Sequence, residues 1–407
     1  MSGTAYRIRL GPRIAAKLAG SIVALLLAAS LSGCGGTLAD VSGTIVTGGG
    51  LFASGPNRPS LPIPIFVAST RPDREERTAG GGAHFSLDIV SVPPGHKTGI
   101  IEAPTFGAPQ EGRDFVLTSH RALDHDAFGN QIAASISGRI GSNRDVLLYV
   151  HGFNTSLQDA RFRLAQIVAD ARFGGVPVLF TWPAENGLFS YVSAKERATA
   201  SRDALEHLLW DLAQEPGVGR VHVLAHSMGT WLAMEALREN AIAGHADLGG
   251  KLGNIMLAAP DIDLAVFREQ MARLGEAAHV SIFVSAGDRA LSLSSRLAGD
   301  GPRVGALDPR NPRDHAELVK LGVKVYDLSS FADGLIGHDA FADSPQVIRT
   351  IGAHLAEPRK EDAKAVAVTD AGGNSQSDAA APSAPITTEP LPPPVLSAPP
   401  REPASGG

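Results

Sequence analysis

The stretch Val221-His-Val-Leu-Ala-His-Ser-Met-Gly229 determines the fold of this 407-residue chain. An apolar run, residues 221–225, stands directly before Ser227, and residues 228–239, which have helical spacing, follow it. A sharp strand-to-helix turn strains the backbone at its central serine and needs small residues two positions to either side. Ala225 and Gly229 meet that requirement. The stretch therefore predicts that Ser227 is a nucleophile lifted above the edge of a sheet.

Short apolar runs alternate with amphipathic stretches on both sides of this turn. The predicted strands are residues 145–150, 176–181, 221–225, 254–258, 279–284 and 323–328, with strand-like runs upstream at 63–68 and 83–92. The predicted helices are residues 157–172, 193–212, 228–239 and 264–277. Thr155 or Ser156 is expected to cap the first helix, and Ser193 with Glu196 to form a capping box opening the second. The pattern predicts an α/β fold: a mostly parallel, doubly wound sheet with helices on both faces.

A serine hydroxyl needs an adjacent base to become a nucleophile, and that base needs a carboxylate to hold its tautomer. In a doubly wound sheet these partners lie on loops beyond the carboxyl ends of neighbouring strands. Asp288 follows the predicted strand at 279–284, and His338 follows the one at 323–328. The order serine, acid, histidine is the one expected for a nucleophile on such a turn. Asp288 is therefore assigned as the acid and His338 as the base.

Two other acids and two other histidines are alternatives for these roles. Asp261 and Asp263 end the intervening strand and would supply the acid instead, unless they cap the next helix. His315 lies in a polar stretch before the last strand, and His354 follows a helix-like apolar run. Neither histidine stands at the end of a strand, so both rank below His338.

The negative charge of a tetrahedral intermediate needs N–H donors that are already in place. The Met228 N–H is one candidate, and the Phe153 N–H, within His151-Gly-Phe-Asn154, is the other. His226 and His222 are expected to pack rather than to react. Several residues follow the predicted strand at 176–181, and they either line the substrate pocket or belong to the core. These residues are Trp182, Pro183, Phe189, Ser190 and Tyr191.

Seven segments carry a resemblance to a known family: Phe66-Val-Ala-Ser-Thr-Arg71, Val90-Ser-Val-Pro-Pro-Gly-His96, Val150-His-Gly-Phe-Asn154, Phe180-Thr-Trp-Pro183, Ala225-His-Ser-Met-Gly229, Leu257-Ala-Ala-Pro-Asp261 and Ser285-Ala-Gly-Asp-Arg289. Over residues 63–355 the chain resembles the alpha/beta-hydrolases, and more narrowly an uncharacterised bacterial subfamily labelled esterase-like or lipase-like. The resemblance implies a sheet of the eight-stranded type, Ser227 as nucleophile, and no metal or organic cofactor. It implies no particular substrate. Ala225 departs from the commoner pattern, which has glycine at that position.

Composition excludes several other classes of protein. The chain is 43% hydrophobic, which rules out disorder from end to end, and its net charge of −6 argues against nucleic-acid binding. Cys34 is the single cysteine, so an intramolecular disulfide and a thiolate zinc cluster are both excluded. A metal hydrolase is the weakest option. Its ligands would have to come from a polar cluster formed by His120, Asp124, His125 and Asp126. A polar loop explains this cluster.

The two ends of the chain are expected to lie outside the folded domain. Residues 1–33 have the basic start, short apolar run and small residues of a secretory signal peptide, and Leu31-Ser-Gly-Cys34 resembles a bacterial lipobox. This resemblance implies that Cys34 is the lipidated, membrane-anchored first residue of the mature protein. It also implies an outer-membrane location facing the periplasm, because lipoproteins of this type that stay at the inner membrane have Asp where this chain has Gly35. Residues 358–407 are Pro-rich and predict a disordered tail, which leaves 34–357 for the hydrolase-like domain and its N-terminal strand extension.

Two functions follow from these features. The first is a serine hydrolase that cleaves an ester or related acyl bond of a small-molecule or lipid substrate through an acyl-enzyme. The second is a non-catalytic envelope lipoprotein that keeps a hydrolase-like shell and binds a partner, with the tail contacting an envelope component. The three residue types of a triad at predicted strand ends favour the enzyme.

Overall fold

The fold is described from a computed structural model, which covers residues 59–72, 82–184, 190–275, 278–297, 301–330 and 340–356. The predicted signal peptide, Cys34, His338 and the tail at 358–407 lie outside these residues, and the predictions made on them stay predictions. Within the ranges given, no helix is long and apolar enough to cross a bilayer.

One nine-stranded sheet organises the described chain. In chain order its strands are β1 (Leu61–Ser69), β2 (His84–Val92), β3 (Val116–Leu123), β4 (Val146–Val150), β5 (Val176–Thr181), β6 (Val221–His226), β7 (Leu252–Ala258), β8 (His279–Val284) and β9 (Lys324–Asp327). Their order across the sheet is β3-β2-β1-β5-β4-β6-β7-β8-β9. The strands from β1 to β9 along this order are parallel, whereas β2 pairs antiparallel with both β1 and β3. The predicted mostly parallel sheet is confirmed, with one strand more than the eight that the resemblance implies.

Helices cover both faces of this sheet, as the sequence predicts. In chain order they are α1 (His125–Ile136), α2 (Leu157–Asp170), α3 (Tyr191–Ala200), α4 (Arg202–Gln214), α5 (Met228–Ile242), α6 (Leu264–Leu274), α7 (Arg289–Leu297), α8 (Pro312–Leu321), α9 (Ala340–Asp343) and α10 (Pro345–Ala356). Side chains of α1, α3, α4, α5, α6 and α8 share one apolar cluster, and those of α2 and α10 share the other. Every residue of β4, β5 and β6 is buried, because these central strands are covered on both faces.

Three local predictions need correction. The polar loop expected around His120 and Asp126 is instead the end of β3 and the first turn of α1, which begins after the N-cap Asp124. β3 was missed because it is an edge strand with mostly exposed side chains and no alternating apolar pattern. The single helix expected over 193–212 is two helices that meet at Ser201. Ser193 lies inside the first of them, with its hydroxyl donating to the Ser190 carbonyl, so no capping box forms there.

Of the two N-caps expected for α2, Thr155 and Ser156, the structure has Ser156. Ser156 is the N-cap, and its hydroxyl oxygen accepts the Asp159 N–H at 3.1 Å. The segment just before it, residues 151–155, leaves the carboxyl end of β4 and runs along the edge where β1, β5 and β6 also end. This edge is the one where ligands bind in open α/β sheets.

Candidate active site

Ser227 occupies the turn between β6 and α5 in a strained conformation. Its φ of 52° and ψ of −125° lie in a region that residues with a side chain rarely adopt. Two contacts hold the turn: the Ser227 N–H donates to the Ala258 carbonyl at 2.9 Å, and the Thr230 hydroxyl donates to the Ser227 carbonyl at 2.6 Å. The backbone geometry expected of a nucleophilic serine is therefore present at the position that the sequence indicates.

Two glycines allow the turn to approach the end of β4. A Cβ atom on Gly229 would stand 2.4 Å from the His151 carbonyl oxygen and 2.7 Å from that of Val150. A Cβ on Gly152 would stand 2.9 Å from the Ser227 Cβ and 3.0 Å from His226 Nδ1. Neither position has room for a side chain, so residue size alone fixes glycine at both. Segment 151–155 consequently lies in close contact with the Ser227 turn.

The two N–H groups assigned to an oxyanion hole belong to the two segments that meet here: Met228 to the Ser227 turn and Phe153 to segment 151–155. Met228 is the first residue of α5, so its N–H has no acceptor within the helix. Phe153 follows Gly152 directly, and its ring meets the Tyr191 ring edge to face at 5.9 Å. Among the described residues neither N–H donates a hydrogen bond.

A buried histidine fixes the conformation of segment 151–155. The His151 Nε2 faces three donors: the Thr181 hydroxyl at 2.9 Å, the Trp182 N–H at 3.3 Å, and Arg71 Nη2 at 3.4 Å. Nε2 must therefore accept, which leaves the proton on Nδ1 to be donated to the Gly152 carbonyl at 2.9 Å. Burial and the nearby Arg71 charge lower the pKa of His151 to about 3. The His151 ring is neutral at neutral pH, and its hydrogen bonds hold segment 151–155 in place.

Trp182 belongs to the core rather than to a pocket wall. Its side chain is completely buried and stacks on the His151 ring, with the centroids 5.5 Å apart and the planes 7° apart. The indole N–H donates to the His151 carbonyl at 2.9 Å. Tyr191 is buried as well, whereas Phe189 lies outside the described residues.

Asp288 lies in the loop after β8, as its assignment as the acid requires. Its side chain is buried, and Oδ1 accepts the N–H groups of Ala290 and Leu291 at the start of α7, at 2.9 and 3.0 Å. β7 alone separates β8, which precedes Asp288, from β6, which precedes Ser227. Asp288 and Ser227 therefore follow strands that are two positions apart in the sheet, at the edge where the parallel strands end. His338 lies outside the described residues, and the meeting of the three side chains is therefore a proposal.

The carboxylate of Asp261, one alternative acid, is already occupied. Its oxygens accept the hydroxyls of Tyr191 and Ser294, both at 2.7 Å, and Arg303 Nε lies 3.4 Å away. Burial, followed by the Asp261 charge, raises the pKa of Tyr191, which keeps that hydroxyl protonated. The Asp261 N–H also donates to the Ser227 carbonyl at 3.3 Å. These contacts make Asp261 part of the support beneath the turn.

Asp263, the other alternative acid, is a helix cap. Its Oδ1 accepts the N–H groups of Ala265 and Val266 at the start of α6, at 2.8 and 3.4 Å. This is the structural reading that the sequence offered for the residue.

Both alternative bases lie on helices, whereas His222 and His226 lie on β6. His354 is buried on α10 with Nε2 2.6 Å from the Tyr326 hydroxyl, and His315 lies on α8. His226 stacks on Phe341 with a centroid distance of 4.6 Å, and His222 accepts the Asn254 N–H at 3.0 Å. The expectation that His226 and His222 pack rather than react agrees with these contacts.

The polar cluster considered for a metal is dispersed over β3 and α1. His120 Nδ1 lies 2.5 Å from Asp88, Asp124 caps α1, and His125 Nε2 lies 3.0 Å from Asp211. No cluster of three or more histidine, cysteine, aspartate or glutamate side chains suited to a metal ion occurs among the residues that the structure describes.

Two residues near the turn were missed from the sequence. Arg71 contacts segment 151–155, and Arg303 approaches the carboxylate of Asp261. Arg71 ends one of the segments that carry the family resemblance, which was a usable signal. Arg303 gave none, because its partner is 42 positions away along the chain and no local pattern joins them.

A nine-stranded, mostly parallel sheet with a strained serine between strand and helix defines an alpha/beta-hydrolase fold. The family model described as alpha/beta hydrolase of unknown function (DUF900) matches residues 125–355, more than half of the chain. The chain belongs to this family. The match starts after β3, so the first three strands lie outside it.

Solved structures similar to this chain include two esterases. An esterase of Pyrobaculum calidifontis is 12% identical with a TM-score of 0.33, covering 74% of this chain and 86% of its own. Carboxyl esterase 2 of Tuber melanosporum is also 12% identical with a TM-score of 0.33, covering 75% of this chain and 88% of its own. A lipase-esterase related protein of Clostridium acetobutylicum is 10% identical with a TM-score of 0.21, covering 56% and 94%. No curated protein matches the chain.

We predict that Gly229→Ala destabilises the protein although alanine is the better helix former. Helix propensity favours alanine by about 1 kcal/mol, but the new Cβ would overlap the carbonyl oxygens of Val150 and His151. The expected net loss is about 1–3 kcal/mol of unfolding free energy, measured by urea denaturation. Gly112→Ala is the control, because its Cβ would meet nothing within 4 Å. Equal stability of the two variants would contradict the close approach.

We also predict a pH signature of the neutral His151. Because its pKa falls from 6.5 in the unfolded chain to about 3 in the fold, the unfolded state binds the extra proton between these values and stability is lost as pH falls below about 6.5. Wild-type unfolding free energy should fall more steeply than that of His151→Asn, by up to about 1.4 kcal/mol per pH unit. Parallel curves for the two proteins over this range would refute the prediction.

Proposed function

We propose that this protein is a serine hydrolase that cleaves an ester or related acyl bond at Ser227. The observation that carries the proposal is the strained Ser227 turn pressed against segment 151–155. Strain of this kind persists only where surrounding contacts impose it, and it clusters at functional sites. Here the contacts come from Ala258 at the end of β7, Thr230 on α5 and Asp261 in the loop after β7.

In the acylation step, the acyl group is transferred from the substrate to Ser227. The Ser227 hydroxyl oxygen attacks the acyl carbon while His338 takes the hydroxyl proton, and Asp288 holds the imidazole and stabilises its charge. Negative charge develops on the former carbonyl oxygen, which the N–H groups of Phe153 and Met228 bind. His338 then gives the proton to the leaving oxygen or nitrogen, and the acyl group remains on Ser227.

Deacylation repeats the same steps with water. His338 removes a proton from water, which attacks the acyl carbon, and the Ser227 oxygen leaves with that proton. The two N–H donors serve both steps because negative charge develops on the same oxygen in each, and they belong to separately anchored segments. His151 holds the Phe153 segment, and the turn itself holds Met228.

We predict that Ser227→Ala abolishes turnover of short p-nitrophenyl esters and labelling by a fluorophosphonate probe. The expected loss in kcat is at least about a thousandfold, since the nucleophile is removed. Ser193→Ala, which changes a hydroxyl bonded to the Ser190 carbonyl on α3, is the control and should retain activity. Wild-type protein that is neither labelled nor active would exclude the hydrolase and favour the non-catalytic envelope lipoprotein.

We predict that the carboxylate of Asp288 is required for catalysis. Asp288→Asn should lower kcat by about a thousandfold or more, because an amide cannot hold the base in the right tautomer. The variant should fold, since asparagine keeps an oxygen for the N–H groups of Ala290 and Leu291. Asp263→Asn is the matched control, an alternative acid and an equally good cap. Loss of activity in Asp263→Asn alone would overturn the assignment of Asp288.

We further propose that Cys34 is lipidated and anchors the hydrolase to the outer membrane, facing the periplasm. Its support is the lipobox-like Leu31-Ser-Gly-Cys34 after a signal-peptide pattern. Cys34→Ala should release the protein from the membrane fraction, because several acyl chains bind a bilayer far more firmly than one chain does. Ser227→Ala, which keeps Cys34, serves as the control. Retention of Cys34→Ala in the membrane fraction would contradict lipid anchoring.

A further inference from the structure

Arg71 lies at the same edge of the sheet as the nucleophilic turn. It follows β1 by two residues, and β1 runs parallel to β5, so both strands end beside segment 151–155. Its Nη2 donates to the Thr155 carbonyl at 2.7 Å and lies 3.4 Å from His151 Nε2. Gly152, next to His151, contacts Ser227. A positive charge is therefore held against the segment that borders the nucleophile.

The groups of the described residues that hold this guanidinium are all neutral. Nε donates to the Thr181 hydroxyl oxygen at 2.8 Å, and the other two acceptors are the Thr155 carbonyl and the uncharged His151 ring. These contacts fix the position of the planar guanidinium and bring no negative charge to it. Burial, together with the nearby Arg161 charge, lowers the pKa of Arg71 to about 10, so the group stays positive at neutral pH.

Other largely buried arginines of this protein have a carboxylate partner. Arg161 lies 2.5 Å from Asp88, Arg220 lies 3.3 Å from Asp145, and Arg303 lies 3.4 Å from Asp261. Within the described part of the chain, no carboxylate pairs with Arg71. A buried charge without a counter-charge is costly, and such charges are normally paired. Arg71, which is partly buried at the edge of the candidate active site, has no such pair among the described residues.

Part of the guanidinium is open to a ligand. The side chain is partly exposed, and its Nη1 donates to none of the residues that the structure describes. Because Nε and Nη2 are already held, Nη1 is presented without further loss of side-chain freedom. A guanidinium binds carboxylate and phosphate oxygens with short, charge-assisted hydrogen bonds.

We propose that Arg71 is the subsite for an oxyanion, a carboxylate or a phosphate, carried by the substrate that Ser227 attacks. The proposal rests on the proposed function, and it names the substrate class: an acyl compound with an acidic group at a short distance from the scissile bond. The subsite comes from β1, which lies outside the part of the chain that the family model matches.

The first experiment compares three p-nitrophenyl esters of matched chain length on the full-length protein. Their acids are a plain alkanoic acid, a dicarboxylic acid and a phosphono-terminated alkanoic acid, in a series of lengths. Wild type should favour one of the two anionic esters by about tenfold or more in kcat/KM, and the preferred ester shows which anion the site takes. Arg71→Met should reduce that ratio to about one, and Arg71→Lys should keep part of it.

Two outcomes of this experiment would overturn the proposal. One is a wild-type ratio near one at every chain length. The other is an equal slowing of all three esters by Arg71→Met, which would make Arg71 a positioning residue for segment 151–155 only. Arg313→Met, at an exposed arginine of α8, is the matched control and should leave the ratio unchanged.

A binding experiment separates this proposal from the hydrolase itself. Ser227→Ala protein, which cannot turn over an ester, is titrated calorimetrically with the dicarboxylic and phosphono acids, and Ser227→Ala/Arg71→Met with the same ligands. Binding that requires Arg71, in a protein whose wild type cleaves none of the esters, would refute the hydrolase and leave the anion site standing. Ester cleavage without Arg71-dependent binding or preference would refute the anion site alone.

Discussion

The close approach of α5 to the carboxyl end of β4 is the constraint on which the site depends. Gly229 has no side chain, so the helix can lie against the carbonyl oxygens of Val150 and His151. Gly152 allows the reverse approach, of segment 151–155 toward Ser227. The strained φ of Ser227 is the local cost of this arrangement, and the hydrogen bonds from Ser227 to Ala258 and from Thr230 to Ser227 offset it.

Two polar networks hold the groups on either side of the turn. On one side, Arg71, Thr181 and His151 fix the carbonyl of Gly152. On the other side, the buried groups around Asp261 are Tyr191, Ser294 and Arg303. The Tyr191 ring contacts Phe153, so the second network also meets the first segment. Donors fixed in this way need no reorganisation when charge develops, which is the main electrostatic requirement of acyl transfer.

The N-terminal strands contribute to the site as well as to the sheet. β1 inserts beside β5 in the parallel direction, and this direction brings Arg71 to the active edge. β2 and β3 then continue the sheet antiparallel, and the Asp88 carboxylate on β2 pairs with Arg161 on α2. The charge of Arg161, next to Arg71, thereby has a counter-charge, whereas no carboxylate of the described residues pairs with Arg71. An antiparallel β1 would have placed the same residue at the opposite edge.

The central strands and the nucleophilic turn could be predicted from the sequence, because strands buried on both faces are continuously apolar and because a sharp turn needs small neighbours. Exposed β3 and the helix break at Ser201 carry no such local pattern, and both were missed. The sequence also left the roles of Trp182, Asp261 and Asp263 open. The roles of Trp182 and Asp261 depend on partners such as His151, Tyr191 and Ser294, tens of residues away along the chain, whereas Asp263 caps the helix that follows it. The order and direction of the strands bring such partners together, so tertiary structure alone decided these pairings and placed Arg71 beside segment 151–155.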